Sequence, residues 1–152
     1  MHETILAEGL DTRPMFLEPM WRIMFQAPEE DVDRIFEAVT SVADLVHGKT
    51  DRNAFRSKSG VEYYRPLEGT PTGAEDEVRK RPGVDEIAFY LPRDAALLDR
   101  VIEAIYESHS YYEPVIIVQE ALRSRCKGLD DSVNPNRWWN RAGDWKTKAD
   151  AG

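Results

Sequence analysis

An ordered change of hydrophobic period between about residues 20 and 122 constrains this chain more than any other feature. Trp21, Ile23 and Phe25 alternate with Arg22, Met24 and Gln26, the two-residue period of a strand with one face toward a core. Pro28 stops that strand, and Glu29, Glu30 and Asp31 then place acids where a first helical turn favours them. Val32, Ile35, Phe36, Val39 and Val42 recur at helical spacing and predict a helix over 29–44. Arg52 to Ser57 and Val61 to Leu67 flank Lys58-Ser59-Gly60, which predicts two short strands joined by a turn. Pro66 to Pro82 carries Gly69, Gly73 and charges from Glu75 to Arg81, and reads as a mobile, solvated loop. Val84 to Leu91 predicts another strand. Asp94 is a candidate N-cap for a second helix over 94–108, built on Leu97, Leu98, Val101, Ile102, Ile105 and Tyr106. Pro114 to Val118 is a β-branched run of the kind buried on both faces.

The order β-α-β-β-α-β predicts an α+β, ferredoxin-like domain with two helices on one face of a four-stranded antiparallel sheet. A single helical layer leaves the other sheet face uncovered. Met24, Tyr64, Ala88 and Tyr90 are expected there, too apolar for open water, so a homo-oligomer is expected. Around this domain (20–122) lie an extended N-terminal arm (1–19) and a Trp-rich C-terminal tail (123–152).

Charge separates these zones. The arm carries −3, the domain −8 and the tail +3, which together make the net −8. An acidic domain repels a phosphate backbone, so nucleic acid is not an expected partner. No apolar run approaches the roughly 20 residues of a membrane span, and Glu3, Glu8 and Asp11 sit where a signal peptide wants basic charge. A cytoplasmic protein without membrane contact is the default reading. Cys126 is the single cysteine, so no disulfide forms within the chain.

Three segments carry a resemblance: Val61-Glu-Tyr-Tyr-Arg-Pro-Leu-Glu-Gly69, Val84-Asp-Glu-Ile-Ala-Phe-Tyr-Leu91 and His109-Ser-Tyr-Tyr-Glu-Pro114. Together they resemble the YqfO-type domain, which occurs alone or inserted in dinuclear-metal proteins of the NGG-interacting-factor type, and which is related to CutA and PII-like proteins. The resemblance covers about residues 20–120 and implies the same ferredoxin-like fold, a trimer, and a regulatory or ligand-sensing role. Ser110 and Tyr112 replace the family's Pro and Glu. Asp51 to Phe55 stands where the family often has Asp-His-Cys, which removes its soft metal ligands.

With His2, His47 and His109 scattered, a binuclear hydrolase site within one chain is excluded. No Ser-His-Asp spacing stands out, and Cys126 lies in the tail, so no catalytic residue is assigned and binding without turnover is expected. His109 follows a helix C-terminus, where it serves either as a cap or, with Glu113, as a ligand to a divalent metal at a subunit interface. His47 reads as solvated surface. Arg65, Glu68 and Gly69 are the candidates for holding an anionic small ligand, since Arg suits carboxylate and phosphate. No cofactor is required. Trp138, Trp139 and Trp145 are expected either to be covered within an assembly or to dock a protein partner. The alternatives to a CutA/PII-type regulator are a divalent-metal-binding protein and a small cofactor-free enzyme on the same fold.

Overall fold

A computed structural model describes residues 2–141. In chain order its elements are α1 (His2–Glu8), β1 (Leu10–Asp11), β2 (Met15–Pro28), a 3₁₀ turn (Glu29–Asp31), α2 (Val32–Thr40), β3 (Phe55–Arg56), β4 (Gly60–Tyr64), β5 (Arg79–Pro92), α3 (Ala95–Ser108), β6 (Ile116–Cys126) and a second 3₁₀ turn (Trp138–Asn140). The fold is ferredoxin-like. β2 pairs antiparallel with β5 on one side and β6 on the other, and β3 and β4 pair with the far edge of β5.

β2 runs through Pro19 and begins inside the segment read as an arm. The proline is tolerated because β5 ends opposite Met20 and β1 reaches only Leu17, so the missing N–H faces the gap between them. The arm also holds α1, which ends at Gly9. There φ is +89°, and a Cβ would come within 2.6 Å of the Leu17 carbonyl oxygen and 2.7 Å of the Phe16 ring, so only glycine fits.

The alternation of β2 sorts its side chains onto two faces. Ile23, Phe25 and Ala27 meet Ile87, Phe89 and Leu91 of β5, and both helices bury Val32, Ile35, Val39, Val101 and Ile105 against them. Phe25 and Phe89 pack edge to face at 6.5 Å. Asp94 caps α3 as expected, its Oδ1 accepting from the amides of Ala96 (3.0 Å) and Leu97 (3.3 Å). On the other face Met24, Ala88 and Tyr90 lie with Arg22, Gln26 and Ile117. Met24 is buried there, and Ala88 and Tyr90 are half-buried.

Three expectations change. The run from Pro114 to Val118 is not buried on both faces. It opens β6, a longer strand at the sheet edge, with Val115, Ile117 and Val118 each 38–40% exposed. Its β-branched composition suits any strand, so composition alone does not separate an edge from a centre. The charged loop also ends early. Arg79, Lys80 and Arg81 belong to β5, opposite Tyr64, Tyr63 and Glu62, where Lys80 gains the Tyr63 ring and Arg81 the Tyr64 hydroxyl of β4, and Arg79 pairs with Glu75 of the loop. The helix expected over 29–44 is a 3₁₀ turn followed by α2, which ends at Thr40.

Candidate functional site

The β4–β5 hairpin carries a loop over 65–78, and polar groups hold its root. Arg81 Nη2 donates to the Tyr64 hydroxyl at 3.1 Å. The same guanidinium lies over the Tyr64 ring at 5.7 Å and over the Tyr111 ring at 5.0 Å. Lys80 sits over Tyr63 at 5.7 Å, and Arg79 pairs with Glu75 (Nε to Oε2, 2.7 Å). Within the loop, Glu75 N–H donates to the Pro66 carbonyl at 3.0 Å, and Gly69 and Gly73 turn the chain with φ of +94° and +81°.

Tyr111 reaches this root from the segment between α3 and β6. Its hydroxyl is buried close to Glu62 and Arg81 but completes no hydrogen bond of good geometry among the described residues. Burial pushes its phenol up to about 12, with the nearby Glu62 carboxylate adding to the shift and Arg81 opposing it.

His109 anchors the other side of that segment. The Tyr111 amide can only donate, so Nδ1 accepts from it at 3.0 Å, and Nε2 donates to the Gln26 carbonyl at 2.7 Å. Its ring lies 4.7 Å from that of Tyr111. Both nitrogens are thus spent on backbone, and metal ligation by His109 requires breaking one of these bonds. Glu113 makes no bond to it. Glu113 lines a separate groove with Asp99, Glu103 and Tyr106. Among the described residues no cluster of three or more His, Cys, Asp or Glu side chains is placed to hold a metal ion.

Two buried carboxylates brace the site. Asp31 accepts from the Ser110 hydroxyl (2.5 Å) and pairs with Arg34 (2.8 Å). Burial alone would raise its pKa, but the Ser110 and Arg34 hydrogen bonds outweigh it and hold the carboxyl below its usual range. Asp85 accepts from Ser59 (2.6 Å) and from Arg56 Nε (2.5 Å), while Arg56 Nη2 donates to the Glu29 carbonyl at 3.1 Å. The Ser59 hydrogen bond, aided by Arg56 and opposed by burial, keeps Asp85 below its usual range. These contacts tie the β3–β4 turn to the start of α2. Beside them is an open groove of about 230 Å³ lined by Gln26, Lys58, Gly60, Glu62 and Glu86, where Gln26 donates to Glu86 at 3.1 Å.

Arg65, Glu68 and Gly69 are all exposed on the loop. Arg65 makes no ion pair or side-chain hydrogen bond among the described residues, so its charge is available. His47 is not simple surface: its Nε2 lies 2.8 Å from the Ser124 carbonyl oxygen of β6. Trp138 and Trp139 are each 58% exposed. Trp145 lies outside the described residues. The Arg81–Tyr64–Tyr111 cluster was missed in the sequence. Its one signal was basic residues two and three positions before Gly83, set across a hairpin from two tyrosines.

No protein-family model matches the chain, and no curated protein does so at a significant level. Among solved structures, the fold is similar to that of a Bacillus cereus protein related to NIF3, with a TM-score of 0.59 and 19% identity over 80% of this chain. This chain spans 32% of that protein's length. Weaker likenesses are to the divalent ion tolerance protein CutA1 of Ehrlichia chaffeensis (TM-score 0.49, 18% identity, 74% of this chain and 86% of that one). Another is to a nitrogen regulatory PII-like protein of Thiomonas intermedia (TM-score 0.44, 12% identity, 72% and 97%). The likeness to the NIF3-related protein agrees with the ferredoxin-like fold that the resemblance implied. No helix among the described residues is long and apolar enough to cross a membrane.

Proposed function

We propose that this protein is a homo-oligomeric, non-enzymatic regulator whose 65–78 loop responds to a small anionic ligand at its root. One observation carries the reading: the loop is held by exchangeable polar contacts around Arg81, and the Tyr111 hydroxyl beside them is left unpaired. An unsatisfied buried hydroxyl costs about 1–3 kcal/mol, so a second arrangement of the loop that supplies an acceptor is favoured. An anion does so, with Arg65 adding charge from the loop. Assembly as a trimer through the uncovered sheet face accounts for Met24, Ala88, Tyr90 and Ile117 standing together without helices over them.

Calorimetric titration with inorganic phosphate and pyrophosphate tests the ligand half. Arg65→Ala is expected to abolish binding and leave the oligomer intact. Tyr111→Phe is expected to leave the melting temperature unchanged or raised, since it removes a hydroxyl that has no partner, and to weaken binding. The reading fails if Tyr111→Phe lowers stability, or if turnover of a metabolite is found that His109→Ala removes.

A further inference from the structure

The tail beyond β6 is not loose chain. Asn140 Nδ2 donates to the Asp131 carbonyl and the Asn134 carbonyl, both at 2.8 Å. Arg137 bonds Asp131 at 2.5 Å, Arg141 Nε donates to the Pro135 carbonyl at 3.2 Å, and backbone bonds run Asn134 to Asp131 and Arg141 to Trp138. Every one of these bonds closes within residues 131–141. They make a self-contained knuckle whose two adjacent indoles point into solvent. Rigid, exposed tryptophans flanked by arginines are the composition of a binding anchor, and leaving them in water is costly.

The chain also carries a surface that complements it. A groove of about 440 Å³ between α3 and the start of β6 has an apolar floor of Ile102, Tyr106 and Ile116 and a rim of Asp99, Glu103 and Glu113. Tyr106 is 57% exposed. The rim is acidic, whereas the tail is the only one of the three zones with a basic excess.

The knuckle does not fill the groove of its own chain, none of whose lining residues it touches or supplies, and β6 holds the two apart. β6 separates Ile116 from Cys126 by ten residue steps, about 33 Å at 3.3 Å per residue. Lys127 is tied back to the arm, its amide donating to the Pro14 carbonyl at 3.0 Å. The three steps from Lys127 to Asp130 then span at most about 11 Å. We propose that the Trp138–Trp139 knuckle of one copy docks in the α3–β6 groove of a second copy, with the indoles on the apolar floor and the Arg141 charge facing the acidic rim. This holds whether or not the bare sheet faces assemble.

The test uses full-length chains with Cys126→Ser, one population bearing Glu107→Cys beside the groove and a second, of different mass, bearing Asn136→Cys in the knuckle. A short bis-maleimide is expected to join the two populations. The yield is expected to fall at least tenfold when Trp138→Ala and Trp139→Ala are added to the second, or Asp99→Lys and Glu103→Lys to the first. Arg141→Glu in the second population is expected to recover part of the charge-reversal loss. A chain carrying both cysteines that cross-links only within itself overturns the proposal. Yields indifferent to the tryptophans, or no cross-link between copies at any soluble concentration, overturn it equally and leave the knuckle for another protein.

Discussion

The two faces of the sheet are made by the same strands and differ in almost every physical respect. On β2, Ile23 and Phe25 are wholly buried under α2 and α3, while the residues between and beside them, Arg22, Met24 and Gln26, look the other way. The covered face is closed by apolar packing within one chain. The bare face keeps Met24 buried but is finished by polar bonds such as Arg22 to Gln119 (3.3 Å) and by Arg123 over the Tyr90 ring (5.6 Å). Alternation therefore specifies a core on one side and only a surface suited to company on the other.

The largest expected effect is on the covered face. Phe25→Ala removes a fully buried ring and is expected to cost roughly 3–5 kcal/mol, at all protein concentrations, in denaturant unfolding. A loss below about 1 kcal/mol would mean the core is not where the alternation puts it.

Asp85 gives a smaller, pH-dependent effect on that same face, since it lies opposite Ala27. Asp85→Asn is expected to cost about 2 kcal/mol at neutral pH through lost charged hydrogen bonds, with Arg56 contributing little because it is 41% exposed and screened. The folded pKa is depressed below 3.8, so the contribution is complete above that value and disappears as pH falls through the folded pKa. The gap between wild type and variant in thermal melts should accordingly narrow only below about pH 3.8. A constant gap down to pH 2 would show that the carboxylate is not what Ser59 and Arg56 recognise.

The smallest effect on the single chain is expected on the bare face. Ile117→Lys lies on β6 opposite Met24 and should change monomer stability by no more than about 0.5 kcal/mol. It should remove the dependence of melting temperature on protein concentration that an assembled face confers. If it unfolds the chain as Phe25→Ala does, the two faces are not the different surfaces described above.

Local patterning along the chain already determined a good deal. The period changes at Trp21, Val32, Val84 and Leu97 and the N-cap at Asp94 follow from residue chemistry over a few neighbours, and each survives in the folded protein. The order of elements carried the ferredoxin-like topology because short connections leave few ways to pair four such strands. What only the tertiary structure decided depends on partners far apart in sequence. β6 is an edge because, among the described residues, no second strand pairs with its outer side, which no run of β-branched residues can announce. Arg81 meets Tyr111 across thirty positions, and His109 spends both ring nitrogens on backbone amides and carbonyls whose directions are set only when β2 and α3 pack. Charged residues between Glu75 and Arg81 look alike in sequence. Register against Glu62, Tyr63 and Tyr64 divides them into loop and strand, because a strand's partners are chosen by pairing and not by composition.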